Sequence, residues 1–160
     1  HCVTGVQTCA LPIYNYNKIN DTLLSSKFNP HYFNLKKSSL SFLDFIYSFQ
    51  YIKTDNINYP LRGSIFDIGI IKRGFGFSGG INMLSISGSF NIYYIFHRKL
   101  YGSIESSCNI KLPFEQPFVN QGAMGYGGYY LSGLEYYVID GVASNVSKFK
   151  IRKKISIFIS

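Results

Sequence analysis

Residues 83–96 read MLSISGSFNIYYIF, and their spacing decides the class of fold. Leu84, Ile86, Gly88, Phe90, Ile92, Tyr94 and Phe96 alternate with Ser85, Ser87, Ser89, Asn91 and Tyr93. A period of two belongs to a strand, whose successive side chains point to opposite faces. The polar set is mostly serine, so that face belongs to water while the other meets something apolar.

The same pattern recurs on both sides. Upstream, Ser38–Lys53 sets Leu43, Phe45, Tyr47, Phe49 and Tyr51 against Asp44, Ser48 and Gln50, and Ser64–Arg73 sets Phe66, Ile68 and Ile70 against Asp67, Gly69 and Arg73. Downstream, Leu100–Lys111 sets Leu100, Ile104, Cys108 and Ile110 against Tyr101, Ser103, Glu105, Ser107, Asn109 and Lys111. From Ser147 a last run sets Phe149, Ile151, Ile155, Ile157 and Ile159 against Lys148, Lys150, Arg152 and Lys154. Turn chemistry separates the runs: DNINYPLRG at Asp55–Gly63, the glycine-rich 72–80, and His97, Arg98 and Lys99. Aromatic residues at 18%, with 15 glycines and only 15% charged residues, favour strands over helices.

No stretch approaches the roughly eighteen uninterrupted apolar residues of a spanning helix. A barrel spans with alternating segments of about ten residues instead, lipid on one side and a wet lumen on the other. Connection lengths alternate between long and short, as expected of a barrel with short periplasmic turns and long external loops. The predicted fold is all-β: an antiparallel transmembrane β-barrel meander, incomplete, with about five strands of a larger barrel. Phe66, Ile68, Ile70, Leu84, Ile86, Phe90, Ile92 and Ile104 should share one face, with Ser85, Ser87, Ser89, Asp67 and Glu105 on the other.

Residues 3–13, VTGVQTCALPI, resemble the translation of a common sequencing-adapter tail, so 1–13 are set aside from fold reasoning and 14–160 are read as a partial barrel domain. Tyr14–Lys37 is polar, rich in asparagine and contains Pro30, which reads as a long loop. Without Cys2 and Cys9 only Cys108 remains, which excludes an intrachain disulfide and reads as a small buried hydrophobe. The chain stops inside an alternating run and is read as a fragment.

A net charge of +8 raises the question of nucleic acid, but the basic residues are scattered or lie at run ends and no nucleic-acid motif accompanies them. The loop GFGFSGG at Gly74–Gly80 contains the letters of G-x-G-x-x-G and of G-x-S-x-G. Both chemistries need a helix next, to aim its amides at phosphate or to hold a serine elbow, and the serine-alternating strand follows instead. His31 and His97 have no ligand-spaced companions, and no nucleophile, base and orienter can be assembled from spacing. The reading is therefore not an enzyme, with no catalytic, metal or cofactor residue. Asp67 and Glu105 either pair with Lys148, Lys150 and Arg152 on the wet face or are solvated independently.

Between the last two runs lies Gln121–Gly141, QGAMGYGGYYLSGLEYYVIDG, with five tyrosines in a glycine-rich frame. Long ordered loops in a β pattern are usually functional. The segment resembles the loop of the outer-membrane assembly-factor superfamily (BamA/TamA-like, surface-antigen barrels, in the versions from Bacteroidetes-type bacteria) that folds back into the lumen around an aliphatic-Arg-Gly-aromatic tetrapeptide. The matching positions are Leu131, Ser132, Gly133 and Leu134, followed by Glu135, Tyr136, Tyr137, Val138, Ile139, Asp140 and Gly141. The Arg and the aromatic are replaced. The turn carried by Asp55, Asn56, Tyr59, Pro60 and Gly63 resembles the family's Asp-Asn-x-x-Tyr-Pro-x-x-Gly turn.

What this resemblance implies is a barrel of roughly sixteen strands with tandem periplasmic domains, integral to the bacterial outer membrane. It would insert other barrel proteins without nucleotide or cofactor. Its partners would be outer-membrane lipid, unfolded outer-membrane proteins, and periplasmic chaperones or accessory lipoproteins. The alternatives are another outer-membrane barrel, a porin or transporter, or a soluble β-sandwich binding module. With Ser132 where relatives place Arg, the loop is expected to turn over the polar face held by Tyr136, Tyr137 and neighbouring aromatics instead of a charge-assisted hydrogen bond.

Overall fold

Backbone pairing turns the alternating runs into one antiparallel meander, seen in a computed structural model that describes residues 3–18, 39–75, 81–117, 120–124 and 137–153. The strands are β1 (Val3–Lys18), β2 (Ser39–Thr54), β3 (Gly63–Arg73), β4 (Met83–His97), β5 (Leu100–Leu112), β6 (Gly122–Met124), β7 (Ile139–Asp140) and β8 (Ala143–Lys153). One six-stranded sheet has the order β1-β2-β3-β4-β5-β8, and β6 and β7 form a separate ribbon. The sheet is open, with β1 and β8 at its two edges. Four of the predicted strands match within one residue at each end, and the fifth starts four residues earlier, at Ala143 instead of Ser147.

Register sorts the side chains as the alternation requires. Tyr51, Phe66 and Phe90 stand opposite one another across three strands, and so do Tyr47, Ile70, Ile86 and Ile110 across four. The next row along the opposite face holds Gln50, Asp67, Ser89 and Ser107. Opposed residues share a face, so the eight apolar positions named above lie together and Ser85, Ser87, Ser89, Asp67 and Glu105 lie on the other side.

Burial runs opposite to that of a water-soluble sheet. The buried apolar side chains are Leu40, Phe42, Ile81, Met83 and Tyr93, and the strand residues among them carry the parity of the polar face. The apolar face is uncovered: Phe45, Phe66, Ile86, Phe90, Tyr94 and Ile110 are exposed, and Phe149 and Ile151 reach 75% and 77% exposure at the edge strand. Cys108 accordingly lies exposed instead of buried, because the face it sits on has no second layer. The apolar face also carries Asn145, Ser106 and Ser147 on the β5–β8 side, where the two serine hydroxyls hydrogen-bond each other at 3.0 Å.

One expectation about the first residues is corrected. Tyr14–Lys18, read as the start of a loop, is the end of β1, which pairs with β2 from Val3↔Thr54 to Lys18↔Ser39. Over 4–18 every side chain except Asn15 is exposed, so the backbone ladder holds β1 in place. An open edge offers its N–H and C=O groups to any extended chain, whatever the origin of its sequence, and this is how residues 3–13 come to be paired. The remainder of the proposed loop, 19–38, lies outside the described residues.

Connections 19–38, 74–82 and 113–142 leave one end of the sheet, and 55–62 and 98–99 the other. The contrast in length is clear except for 55–62 and 74–82, which are similar. The β4–β5 hairpin has a register shift at Ile95/His97, and the Phe96 ring covers the backbone of Gly102 so closely that a Cβ there would sit 2.2 Å from it. A ring over a strand glycine replaces the contacts that the missing side chain cannot make.

Candidate functional site

The turn that resembles a family motif is organised by two short polar side chains. Asp55 Oδ1 accepts the backbone N–H groups of Asn56, Leu61 and Arg62 at 3.0–3.2 Å, and Asn56 Oδ1 accepts those of Asn58 and Tyr59 at 2.9 and 3.3 Å. Asp and Asn are suited to this because their side-chain oxygens reach backbone amides a few residues ahead. Slight desolvation raises the Asp55 pKa, but the amides of Leu61, Arg62 and Asn56 favour the carboxylate, and the net result lies below its ordinary 3.8.

A folded-state pKa below the unfolded value gives stability that is present above the unfolded pKa and is lost as pH falls through the folded one. Amide exchange at Leu61 and Arg62 is therefore expected to accelerate as pH drops below the ordinary carboxylate range, measured against the intrinsic rate. Asp55→Ala should cost about 1 kcal/mol, the usual effect of removing such a cap. Exchange at these amides unchanged in Asp55→Ala would show that water satisfies them equally well.

Gly63 closes the turn with φ 122°, and a Cβ there would meet the Lys53 carbonyl oxygen at 2.0 Å. No side chain fits without moving β2, so Gly63→Ala is expected to destabilise by about 1–3 kcal/mol, read from urea unfolding of the intact protein. A loss no larger than that of an ordinary exposed Gly→Ala change would show that the hairpin relaxes around it.

Tyr59 leaves the turn and meets the other side of the sheet. The Arg152 guanidinium, on the polar face of β8, lies 4.9 Å from the centre of the Tyr59 ring. This is a cation–π distance. The contact bends the turn over the polar face, where Thr54, Tyr93 and Ser103 are buried in one cross-strand row. Beside that row, Lys150 Nζ donates to both Glu105 carboxylate oxygens at 2.7–2.8 Å, and Glu105 stands opposite Lys148. Asp67 instead accepts from Gln50 Nε2 at 2.6 Å and Ser89 Oγ at 2.8 Å. The two carboxylates thus take different partners, and only Glu105 pairs with the basic face of β8.

At the opposite end a second network carries the least exposed charge among the described residues. Asp44, 3% exposed, accepts from Arg73 Nε and Nη2 at 3.1 Å and from Asn15 Nδ2 at 2.9 Å. Arg73 lies 5.0 Å from the centre of the Phe42 ring and gives its remaining Nη1 to Asn120 Oδ1 at 3.0 Å. Asn120, 2% exposed, donates to Gln116 Oε1, and Gln116 donates to the Pro113 carbonyl. Lys111 Nζ donates to the carbonyls of Asn120 and Gly122. Residues 113–117 and 120–124 therefore lie against the polar wall, fastened by side chains of β3 and β5. The sequence reading missed Arg73, Asn120 and Gln116 as a unit; polar parity at one end of β2 and β3 was the available signal for Asp44 and Arg73.

Of the loop residues singled out from sequence, Leu131, Ser132, Gly133, Leu134 and Tyr136 lie outside the described residues. Tyr137 is 67% exposed, and among the described residues of this loop the contact with the wall runs through Asn120 and Gln116. Asp140 is in β7 opposite Gly122, and the Gly141 N–H donates to the Gln121 carbonyl, closing the loop's base as a ribbon. Gly74 has φ 65° and donates its N–H to the Leu43 carbonyl, while 76–80 lie outside the described residues. The strand β4 follows, so this glycine-rich segment opens no helix. No family model matches the chain, and neither a curated protein nor a solved structure matches it.

Proposed function

We propose that this chain is a section of an integral outer-membrane β-barrel whose work is the insertion of other barrel proteins. The observation that supports the membrane reading is the reversal of burial: a mainly apolar face left uncovered, and a polar face that contains the buried groups. In water that arrangement wastes the hydrophobic term, whereas in a bilayer the same face is solvated by acyl chains. Lengths agree, since β2, β3, β4, β5 and β8 run from 11 to 16 residues and a tilted spanning strand needs about 9–11. Ser147 donates to Asn145 Oδ1 at 3.4 Å and can accept from Ser106 at 3.0 Å, which pairs both hydroxyls on the proposed lipid side.

The insertion activity rests on the likeness of Asp55–Gly63 and Gln121–Gly141 to the assembly-factor family. An unpaired strand edge in lipid leaves each backbone group unsatisfied at several kcal/mol. A barrel that opens a seam lends its edge to an incoming strand by β-augmentation, so the new chain is never unpaired in hydrocarbon. No bond is made or broken and no nucleotide is needed. Depletion of the full-length protein should lower the amount of other barrel proteins in their folded, heat-modifiable form. Unchanged assembly with altered solute uptake would overturn this reading in favour of a porin or transporter, which the hydroxyl-lined wall of Ser85, Ser87 and Ser89 also suits.

A further inference from the structure

We infer that the groove between the 55–62 turn and the β4–β5 hairpin holds an anionic phospholipid, with the lipid phosphate on Arg62. The inference rests on the barrel reading, which puts this short-turn end of the sheet at the periplasmic boundary of the bilayer. Its first support is a step in the sheet. β3 starts at Gly63, opposite Tyr93, while β4 runs on to His97. The hairpin therefore overhangs its neighbour, and the step leaves an open groove of about 680 Å³ whose lining includes Arg62, Ser64, Ile92, Tyr94 and Ile95. Ser64, Ile92 and Tyr94 carry the parity of the apolar face, so part of the groove belongs to the side that acyl chains occupy.

The second support is unanswered charge. Arg62 gives its backbone N–H to Asp55, but its guanidinium has no partner among the described residues, where both ion pairs use other cations. Lys53, Arg98, Lys99 and Lys153 are exposed at the same end of the sheet. The carboxylates described there are already engaged: Asp55 Oδ1 accepts the turn's amides, and Glu105 takes Lys150. A guanidinium presents paired donors that match two phosphate oxygens. Ile92 and Tyr94 offer the adjoining acyl chain an apolar wall. A zwitterionic headgroup makes the same phosphate contact but brings an ammonium into a cationic rim, so the groove prefers a headgroup of net negative charge.

Photolabelling of full-length protein in phosphatidylcholine vesicles tests the site. A trace of phosphatidylglycerol with a photoreactive group on its acyl chain should label the peptide covering 92–96 more strongly than phosphatidylcholine carrying the same group. Arg62→Gln should lower that label about tenfold or more, the factor contributed by a hydrogen bond to a charged group. The variant keeps the turn, because Arg62 serves it through the backbone N–H. Lys72→Gln, at the opposite end of the sheet, should leave the label unchanged. A heat-modifiable barrel that both lipids label equally, or whose label survives Arg62→Gln, overturns the lipid site alone. Displacement of the label by inorganic phosphate overturns the membrane lipid in favour of a soluble phosphate. A wild-type protein with no heat-modifiable form overturns the barrel reading itself.

Discussion

Arg73→Leu in the intact protein is expected to cost about 3–5 kcal/mol of stability, the typical loss when one partner of a buried ion pair is removed. The large effect comes from what is left behind. Asp44 has a side chain only 4% exposed, and without Arg73 its carboxylate keeps, among the described residues, the Asn15 amide. Asp44→Leu combined with Arg73→Leu should recover most of the loss, since an apolar pair of similar volume is often neutral where a broken pair is not. Urea unfolding of the full-length protein in lipid vesicles measures all three variants. A double variant as unstable as Arg73→Leu would show that the guanidinium acts by packing on Phe42, not by neutralising Asp44.

The second large effect separates the two faces. Ile86→Arg is expected to destabilise by about 2–4 kcal/mol if this residue faces lipid near mid-membrane, and Ser87→Arg by much less. The two positions are adjacent in β4, so strand propensity and depth are nearly the same for both. Only the face differs: Ile86 stands in the row of Tyr47, Ile70 and Ile110, and Ser87 in that of Ser48, Gly69 and Asn109. Equal losses in a refolding titration into vesicles would count against a lipid-facing assignment.

Period two made β2, β3, β4, β5 and both faces legible, because alternation fixes the strand and the strand fixes which residues can be neighbours. The partners of Asp44 were less accessible. Asp44 and Arg73 meet because they lie equally far from the 55–62 turn, so their pairing follows once the turn's residues are known. Asn120 and Gln116 reach the wall through a connection with no periodicity, and nothing in its spacing announces the contact. Leu40, Phe42 and Met83 are buried although an alternation rule places them on the wet side. Lipid, water and a folded-back segment leave different marks on exposure but similar marks on the order of polar and apolar letters.

The stacking of Tyr59 on Arg152 has a consequence for timing. Its halves come from the first hairpin after β2 and from the last strand of the sheet, with β4 and β5 between them in the pairing order. The hairpin can form by itself, since Asp55 and Asn56 bind only their near neighbours. The ring finds its cation only after every intervening strand has been laid down. The contact thus ties the earliest of these turns to the last strand of the sheet, and it cannot form before β8 has paired.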